Sequence, residues 1–419
     1  MRDVIVIGGG PAGSTVSTLL ARQGFSVTVL ERERFPRFQI GESLLPYNND
    51  LFARLGVLDR LETLPHVPKY GAFFVTGDGQ VGYSFRFDQR LHDPYRRSLQ
   101  VKRAEFDQLM LENAERHGVH VRQETAVAGV DLSHPERAIV RTSKDEELEA
   151  RFVVDASGHG AIVGNTVGRR TEVQSLRKIA FFAHYRNVPR AEGKDGGSTV
   201  IVVLRNAWFW MIPVSDEVMS VGLVVEREHF VSSGLGAQEM LEQTIAVTPW
   251  IAERMKDAER VTQIYARKDF SFRMSQIAGP NFALVGDSAG FLDPIFSTGV
   301  FMAMKAGDLA APAIAERLRG GSTRGLETYA RKVNRGLDEY LRFIERFYDR
   351  EFLEVFLQPS ERWGLLDAVV RVLAGDVFTN RDQRFKLALF FFLVKMQKWR
   401  GVIAPRIDWE RLPSAAMAG

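Results

Sequence analysis

The chain has 419 residues, with 55 Lys and Arg against 52 Asp and Glu. A balance of +3 gives no reason to expect a nucleic-acid partner or a membrane surface. With 45% hydrophobic and 26% charged residues this is ordinary globular composition, long enough for two or three structural units. The absence of cysteine excludes disulfides, thiolate metal sites, thiol-linked cofactors and redox dithiols.

Val4-Ile5-Val6-Ile7 is an apolar, β-branched run of the kind a buried parallel strand needs. Gly8-Gly9-Gly10-Pro11-Ala12-Gly13 follows at once, with glycines at the three positions of G-x-G-x-x-G. Ser14 to Gln23 then reads as a helix, and Ser26-Val27-Thr28-Val29-Leu30 as a second strand ending on Glu31. Gly8 allows the tight turn, Gly10 admits a pyrophosphate close to the backbone, and Gly13 lets helix and strand pack closely. Pro11 and Ala12 of the turn are counted with the glycines as cofactor-binding residues, since amides exposed at a helix N-terminus and the helix dipole favour a diphosphate. Glu31, eighteen residues past Gly13, is placed to accept ribose hydroxyls. Together these elements read as a dinucleotide site. The first strand starts almost at Met1, leaving no room for a signal peptide, and the late apolar run Leu387 to Val394 is far below the ~20 residues of a membrane span. A cytoplasmic protein without a transmembrane segment is expected.

A polar loop, residues 32–38, leads to a second glycine turn, Gly41-Glu42-Ser43-Leu44-Leu45-Pro46, and Asn48 to Leu55 is helical by spacing. An alternating, strand-like region begins at Pro68-Lys69-Tyr70 and runs to about Phe87. A helix opened by residues 101–107, which include Arg103, ends near Gly118; Val119-His120-Val121 and Ala138-Ile139-Val140 return as strands. Arg151 to Asp155 is a third apolar strand, closed by Asp155-Ala156-Ser157-Gly158. Four strands, at 180–185, 198–204, 208–213 and 218–225, predict an antiparallel sheet walling the cofactor. Residues 237–255 read as one helix, and Asn281 to Gly290 as a fourth buried strand entering a glycine turn. Thr298 to Leu318 reads as a long helix; beyond Glu327 the chain reads as helical throughout, broken at Pro359 and near Gly375. The expected fold is α/β. A discontinuous dinucleotide-binding domain spans 1–325, carrying a β-sheet wall inserted at about 68–100 and 178–260, and a helical substrate-side region spans 326–419.

Three motifs in this order, the glycine turn, Asp155-x-Ser157-Gly158 and Gly286-Asp287-Ser288-Ala289, resemble the aromatic-hydroxylase group of FAD proteins. The resemblance implies a Rossmann-like FAD domain in which Asp155 and Gly158 help hold the dinucleotide and Asp287 lies near the ribityl chain. It also implies an Arg103 that reaches the cofactor, with Glu42 and Ser43 in its second glycine turn. No second G-x-G-x-x-G unit opens a nicotinamide domain, so the chain is expected either to receive FADH2 from a separate flavin reductase or to bind a nicotinamide only transiently. Two further motifs narrow the likeness. Trp208-Phe209-Trp210-Met211-Ile212-Pro213 fits W-x-W-x-I-P, and residues 291–299, Phe291 to Gly299, fit F-x-x-P-x-x-S-x-G. Both resemble signatures of flavin-dependent halogenases, and residues 41–46 are closer to the phenol and pyrrole branch than to the tryptophan branch. The likeness covers most of residues 1 to about 325.

The resemblance implies a reaction in which reduced flavin and O2 form a hydroperoxide that a chloride or bromide attacks, giving hypohalous acid. Bulky indoles at Trp208 and Trp210 would keep the acceptor from the flavin. Amides of Thr298 and Gly299, at the start of a long helix, offer the halide a site. Family resemblance places the capturing amine at Lys69, as an ammonium that polarises hypohalous acid or as a neutral amine that forms a haloamine. A single lysine read from composition is ordinarily a solvated surface charge, and its loss would then change stability by under ~0.5 kcal/mol. The acceptor is expected to be an electron-rich phenol or pyrrole, free or tethered to a carrier protein. Aromatics of the C-terminal region at helical spacing read mainly as core, with some lining an acceptor pocket or a carrier-docking face. Rival readings on the same scaffold are a reductase of the geranylgeranyl reductase type, usually Y-x-W-x-F-P, and a plain aromatic monooxygenase. A third is a flavoprotein that binds FAD without turnover.

Overall fold

A computed structural model describes residues 1–268, 271–377 and 381–418. Residues 378–380 and 419, in the stretch expected to be helical, lie outside the described residues, as do 269 and 270. The strand Arg2–Ile7 sits at the centre of a parallel array. On one side it pairs with Val27–Leu30 and then His120–Arg122; on the other with Glu147–Asp155 and then Phe282–Leu284. The inner strands are buried along their C-terminal halves, whereas the edge strand His120–Arg122 is partly exposed. Pro11–Ala21 and Thr298–Leu318 pack together, and an added Cβ on Gly307 would lie 3.0 Å from the Ala12 carbonyl. The hairpin Val127–His134 and Arg137–Thr142 extends the sheet antiparallel from Glu147–Asp155.

The wall is present as a second eight-stranded sheet. Lys178–Arg186, Met219–Glu226, Ala207–Pro213 and Thr199–Val203 follow one another antiparallel, as expected. The sheet is mixed, however, because Thr199–Val203 pairs parallel with Gly71–Thr76 from the earlier insertion. Strand alternation divides its side chains between two cores. Phe181, Phe209, Met211, Val221 and Leu223 face helices of the outer cluster. Phe182, Ile201, Val203, Trp208 and Trp210 face the core shared with the dinucleotide sheet.

Three expectations are corrected. Residues 237–255 form two helices, Ala237–Val247 and Pro249–Met255, because Pro249 cannot donate to the preceding turn. The C-terminal helices include an additional break after Phe347, where Arg324–Phe347 gives way to Arg350–Leu357. The chain after Arg400 is irregular and returns to the wall, where the Arg205 amide donates to the Pro413 carbonyl and the Ala415 amide to Asn206. Among the described residues no helix is long and apolar enough to cross a membrane.

Candidate active site

The first glycine turn has the shape the sequence demands. Gly8 has φ +103°, and a Cβ on Gly13 would lie 1.9 Å from the Gly8 carbonyl oxygen. Gly10 differs: its added Cβ would meet only Arg37 Nη2, at 3.5 Å. The backbone is therefore open at the one position where a diphosphate has to approach, and the cradle fits a dinucleotide. Glu31 is buried, accepting the Gly9 amide at 2.7 Å and the Glu33 amide at 2.9 Å, so it braces the turn from behind. Arg37, from the polar loop of residues 32–38, stands over the turn and pairs with Asp107 at 3.1 Å.

Asp155 is fully buried. Its carboxylate accepts Ser157 N and Oγ together with the amides of Val163 and Gly164. Burial raises its pKa and these bonds counter that rise. Its side chain thus shapes the turn carrying Gly158, whose φ is +65°. The Val285 amide and Ser288 hydroxyl both donate to the Asp155 carbonyl, joining the second motif to the Gly286 turn. There Asp287 lies 3.5 Å from His159 Nδ1; burial raises its pKa while His159 and Arg103 pull it down. Asp287 lines one cavity with Gly290, Thr298, Gly299, Met302 and Tyr340. Ser297, at φ +57°, turns the chain into the helix Thr298–Leu318, whose first amides have no intrahelical partner. Tyr340 Oη is buried and without a hydrogen-bond partner among the described residues.

The second glycine turn is clamped between the two sheets. Arg103 makes a buried two-pronged pair with Asp107, at 2.8 and 2.9 Å, and its Nη1 donates to the Ile40 carbonyl at 2.6 Å. The guanidinium therefore holds this turn. The side chains of Glu42 and Ser43, expected toward the cofactor, are directed to the wall. Glu42 Oε1 pairs with His184 Nε2 at 2.6 Å, and its Oε2 is buried with no partner among the described residues. Ser43 Oγ lies 2.9 Å from Thr199 Oγ1 and accepts a bond from Lys69 at 2.7 Å.

Lys69 is no surface charge. Only 2% exposed, it donates to Ser43 Oγ and, at 3.1 Å, to the Leu44 carbonyl. Among the described residues no carboxylate pairs with it, and burial pushes its pKa down to about 7. The expectation of a negligible stability effect on losing it is thereby overturned, since removal leaves a buried hydroxyl and carbonyl short of a donor. Gln100, missed by sequence reading, donates to Thr199 Oγ1 at 3.0 Å and completes this network.

Thr199 shares a wall face with the tryptophans: Ile201 pairs in register with Trp210, and Val203 with Trp208. The two indoles are 6.1 Å apart between centroids and buried. Trp210 Nε1 donates to Ser220 Oγ at 3.2 Å, and its ring covers Gly222, where an added Cβ would lie 2.1 Å from Cζ2. Trp208 Nε1 donates to Tyr348 Oη at 3.0 Å; Tyr348 in turn donates to Asp293 Oδ2 at 2.9 Å. Lys178 Nζ sits 4.1 Å over the Tyr348 ring. Burial pushes Asp293 up to about 6 against the bonds from Ile295 and Tyr348. His184, Thr199 and Tyr348 lie 140 or more residues from the partners that give them meaning, and no local pattern marks them.

Comparison with known proteins bears on this geometry. The FAD binding domain family matches residues 1–342. A 1H-pyrrole-2-carbonyl-peptidyl-carrier-protein chlorinase of Pseudomonas fluorescens is 29% identical over 90% of each chain. The corresponding brominase of Pseudoalteromonas luteoviolacea is 30% identical, over 90% of this chain and 92% of the relative. Among solved structures, the myxobacterial chondrochloren halogenase CndH is 34% identical with a TM-score of 0.79, over 93% of this chain and 97% of that one.

Proposed function

Since the chain belongs to the flavin-dependent halogenases, FAD-binding enzymes that use chloride or bromide, we propose that it halogenates an electron-rich aromatic of the pyrrole or phenol class presented on a carrier protein, with Lys69 capturing the halogen. The single observation carrying the lysine's role is its environment: a buried amine without a carboxylate partner among the described residues, its pKa pushed down to about 7 by burial. The carrier is inferred from two relatives of nearly equal length whose names specify carrier-bound pyrrole.

FAD, reduced by a separate flavin reductase, would supply with O2 the oxidising equivalent that turns halide into hypohalous acid. Gly8, Gly10, Pro11, Ala12 and Gly13, braced by Glu31, would hold its diphosphate; Asp287 and the turn shaped by Asp155 and Gly158 would hold the chain beyond it. Arg103 keeps the adjoining turn in place, and Arg37 is placed for the diphosphate. Thr298 and Gly299 would bind the halide through backbone amides, where the helix dipole favours an anion. Trp208 and Trp210 fill the wall face and bar the acceptor. Lys69, as a neutral amine, would attack the halogen of hypohalous acid and release water, giving a haloamine; as an ammonium it would donate a hydrogen bond to the oxygen. In either form the halogen leaves as an electrophile toward the ring.

The test supplies FADH2, O2 and bromide with pyrrole-2-carbonyl carrier thioester in one arm and a free phenol in the other. Brominated pyrrole on the carrier is expected, and Lys69→Ala should abolish it. Bromination of the phenol alone removes the carrier, and normal turnover by Lys69→Ala removes the lysine.

A further inference from the structure

The helix Arg381–Arg400 buries Gln383, Leu387, Phe390, Val394 and Gln397 against the neighbouring C-terminal helices. Its other side carries Phe385, Phe392 and Trp399, exposed by 70%, 56% and 80%. Spacing of seven residues keeps the three in one line, drifting only about 20° per step. Val402 (66% exposed) lies just past the helix, and Trp363 (65% exposed) adjoins its first turns, where a Cβ on Gly364 would lie 3.7 Å from Lys386 Cε. Isolated exposed apolar residues are ordinary; a row of large aromatics marks a contact surface.

Charge identifies what fits this surface. The helix contains Arg381, Arg384, Lys386, Lys395, Lys398 and Arg400 against Asp382 alone, a net of +5, whereas the whole chain is +3. On the helical wheel Arg384 and Lys395 flank the aromatic line on one side and Lys386 and Arg400 on the other. A second copy would set +5 against +5, so self-association through this helix is disfavoured. The complementary partner has an apolar centre and an acidic rim, and carries negative charge beside its cargo. A phosphopantetheinylated carrier, whose arm begins at a phosphodiester, has that chemistry.

We propose that the face formed by Phe385, Phe392 and Trp399 with its basic flanks is where the carrier protein docks; this rests on the carrier-tethered reading above. The residues lie outside the catalytic site and are solvent-exposed, so their replacement leaves the folded core intact. The triple variant Phe385→Ser, Phe392→Ser, Trp399→Ser and the charge variant Lys395→Glu, Arg400→Glu are compared with wild type in two assays. One is calorimetric titration with phosphopantetheinylated peptidyl carrier domain in the absence of FADH2. The other is kcat/KM on pyrrole-2-carbonyl carrier thioester and on the same acyl group as its N-acetylcysteamine thioester. Both variants should lose at least about tenfold in carrier affinity and in kcat/KM on the carrier, with the small thioester unaffected, and wild-type binding should weaken with salt. Equal carrier kinetics in variant and wild type overturn the docking face. So does an equal loss on both thioesters, or a variant defect seen only in sedimentation or only in binding to anionic phospholipid vesicles, which assigns the face to a second copy or to a lipid surface. Wild type that halogenates the small thioester but binds no carrier overturns the carrier reading itself while leaving the halogenase intact.

Discussion

Trp208 Nε1 donates a 3.0 Å hydrogen bond to the phenol oxygen of Tyr348, 140 residues away, so the wall strand is bolted to the C-terminal helices. Tyr348 passes the link to Asp293, in the loop that leads to the helix Thr298–Leu318. Tyr348→Phe should leave a buried indole N–H and a carboxylate oxygen without partners, a loss of about 1–3 kcal/mol. Thermal unfolding should show it. If Trp208 bars the acceptor, the variant should also release more hypohalous acid to an external trap per product formed.

The same network gives stability a pH dependence of defined sign. Asp293 has its folded pKa raised from 3.8 to about 6, so the folded state holds the proton more tightly than the unfolded state does. Its contribution to stability is greatest below pH 3.8 and declines as pH rises through 6. Denaturant unfolding at several pH values should give a negative slope in that window that Asp293→Asn flattens. An unchanged slope in the variant would assign it to other groups.

Lys69 has the opposite linkage. Its folded pKa is depressed from 10.5 to about 7, so between those values the unfolded state binds more protons and stability rises with pH. Lys69→Met keeps most of the volume and should abolish that rise. If the neutral amine is the active form, halogenation should climb through pH 7. Lys69→Arg should be inactive, since a guanidinium stays charged and has a different reach. Trapped hypohalous acid should increase in both variants while flavin oxidation continues.

Two glycines of the first turn separate cofactor binding from folding. Gly10→Val meets only the tip of Arg37, so it should fold normally but purify without yellow colour. Gly13→Ala drives a Cβ to 1.9 Å from the Gly8 carbonyl and should destabilise the apoprotein as well. Flavin absorbance and unfolding midpoints measured together decide between these outcomes; full flavin occupancy in Gly10→Val would show the diphosphate to lie elsewhere.

Gly222 lets the Trp210 ring lie flat on the neighbouring strand. Gly222→Ala should push the indole aside at a cost of about 1–3 kcal/mol. If the ring shields the acceptor, hydroxylated side product should appear in the variant by mass spectrometry, and a product profile like wild type would remove Trp210 from that role.

Whatever depends on local backbone form was legible in the amino-acid pattern alone. The strand, glycine turn, helix and strand of residues 2–30 are specified by sterics that only glycine meets and by an apolar run that needs burial on both faces. The helix Thr298–Leu318 and the alternation that sends Trp208 and Trp210 to one side of their strand belong to the same class, because periodicity is a local property. Tertiary structure decided the rest. Spacing and composition show Lys69 only as a basic residue among apolar neighbours; its depressed pKa comes from burial beside Ser43 and Leu44, in a network that Thr199 and Gln100 complete, so three separate stretches of chain enclose it. Glu42 and Ser43 turned to the wall for the same reason: a buried polar group bonds to whatever the packed elements bring within about 3 Å, and sequence spacing does not encode that distance.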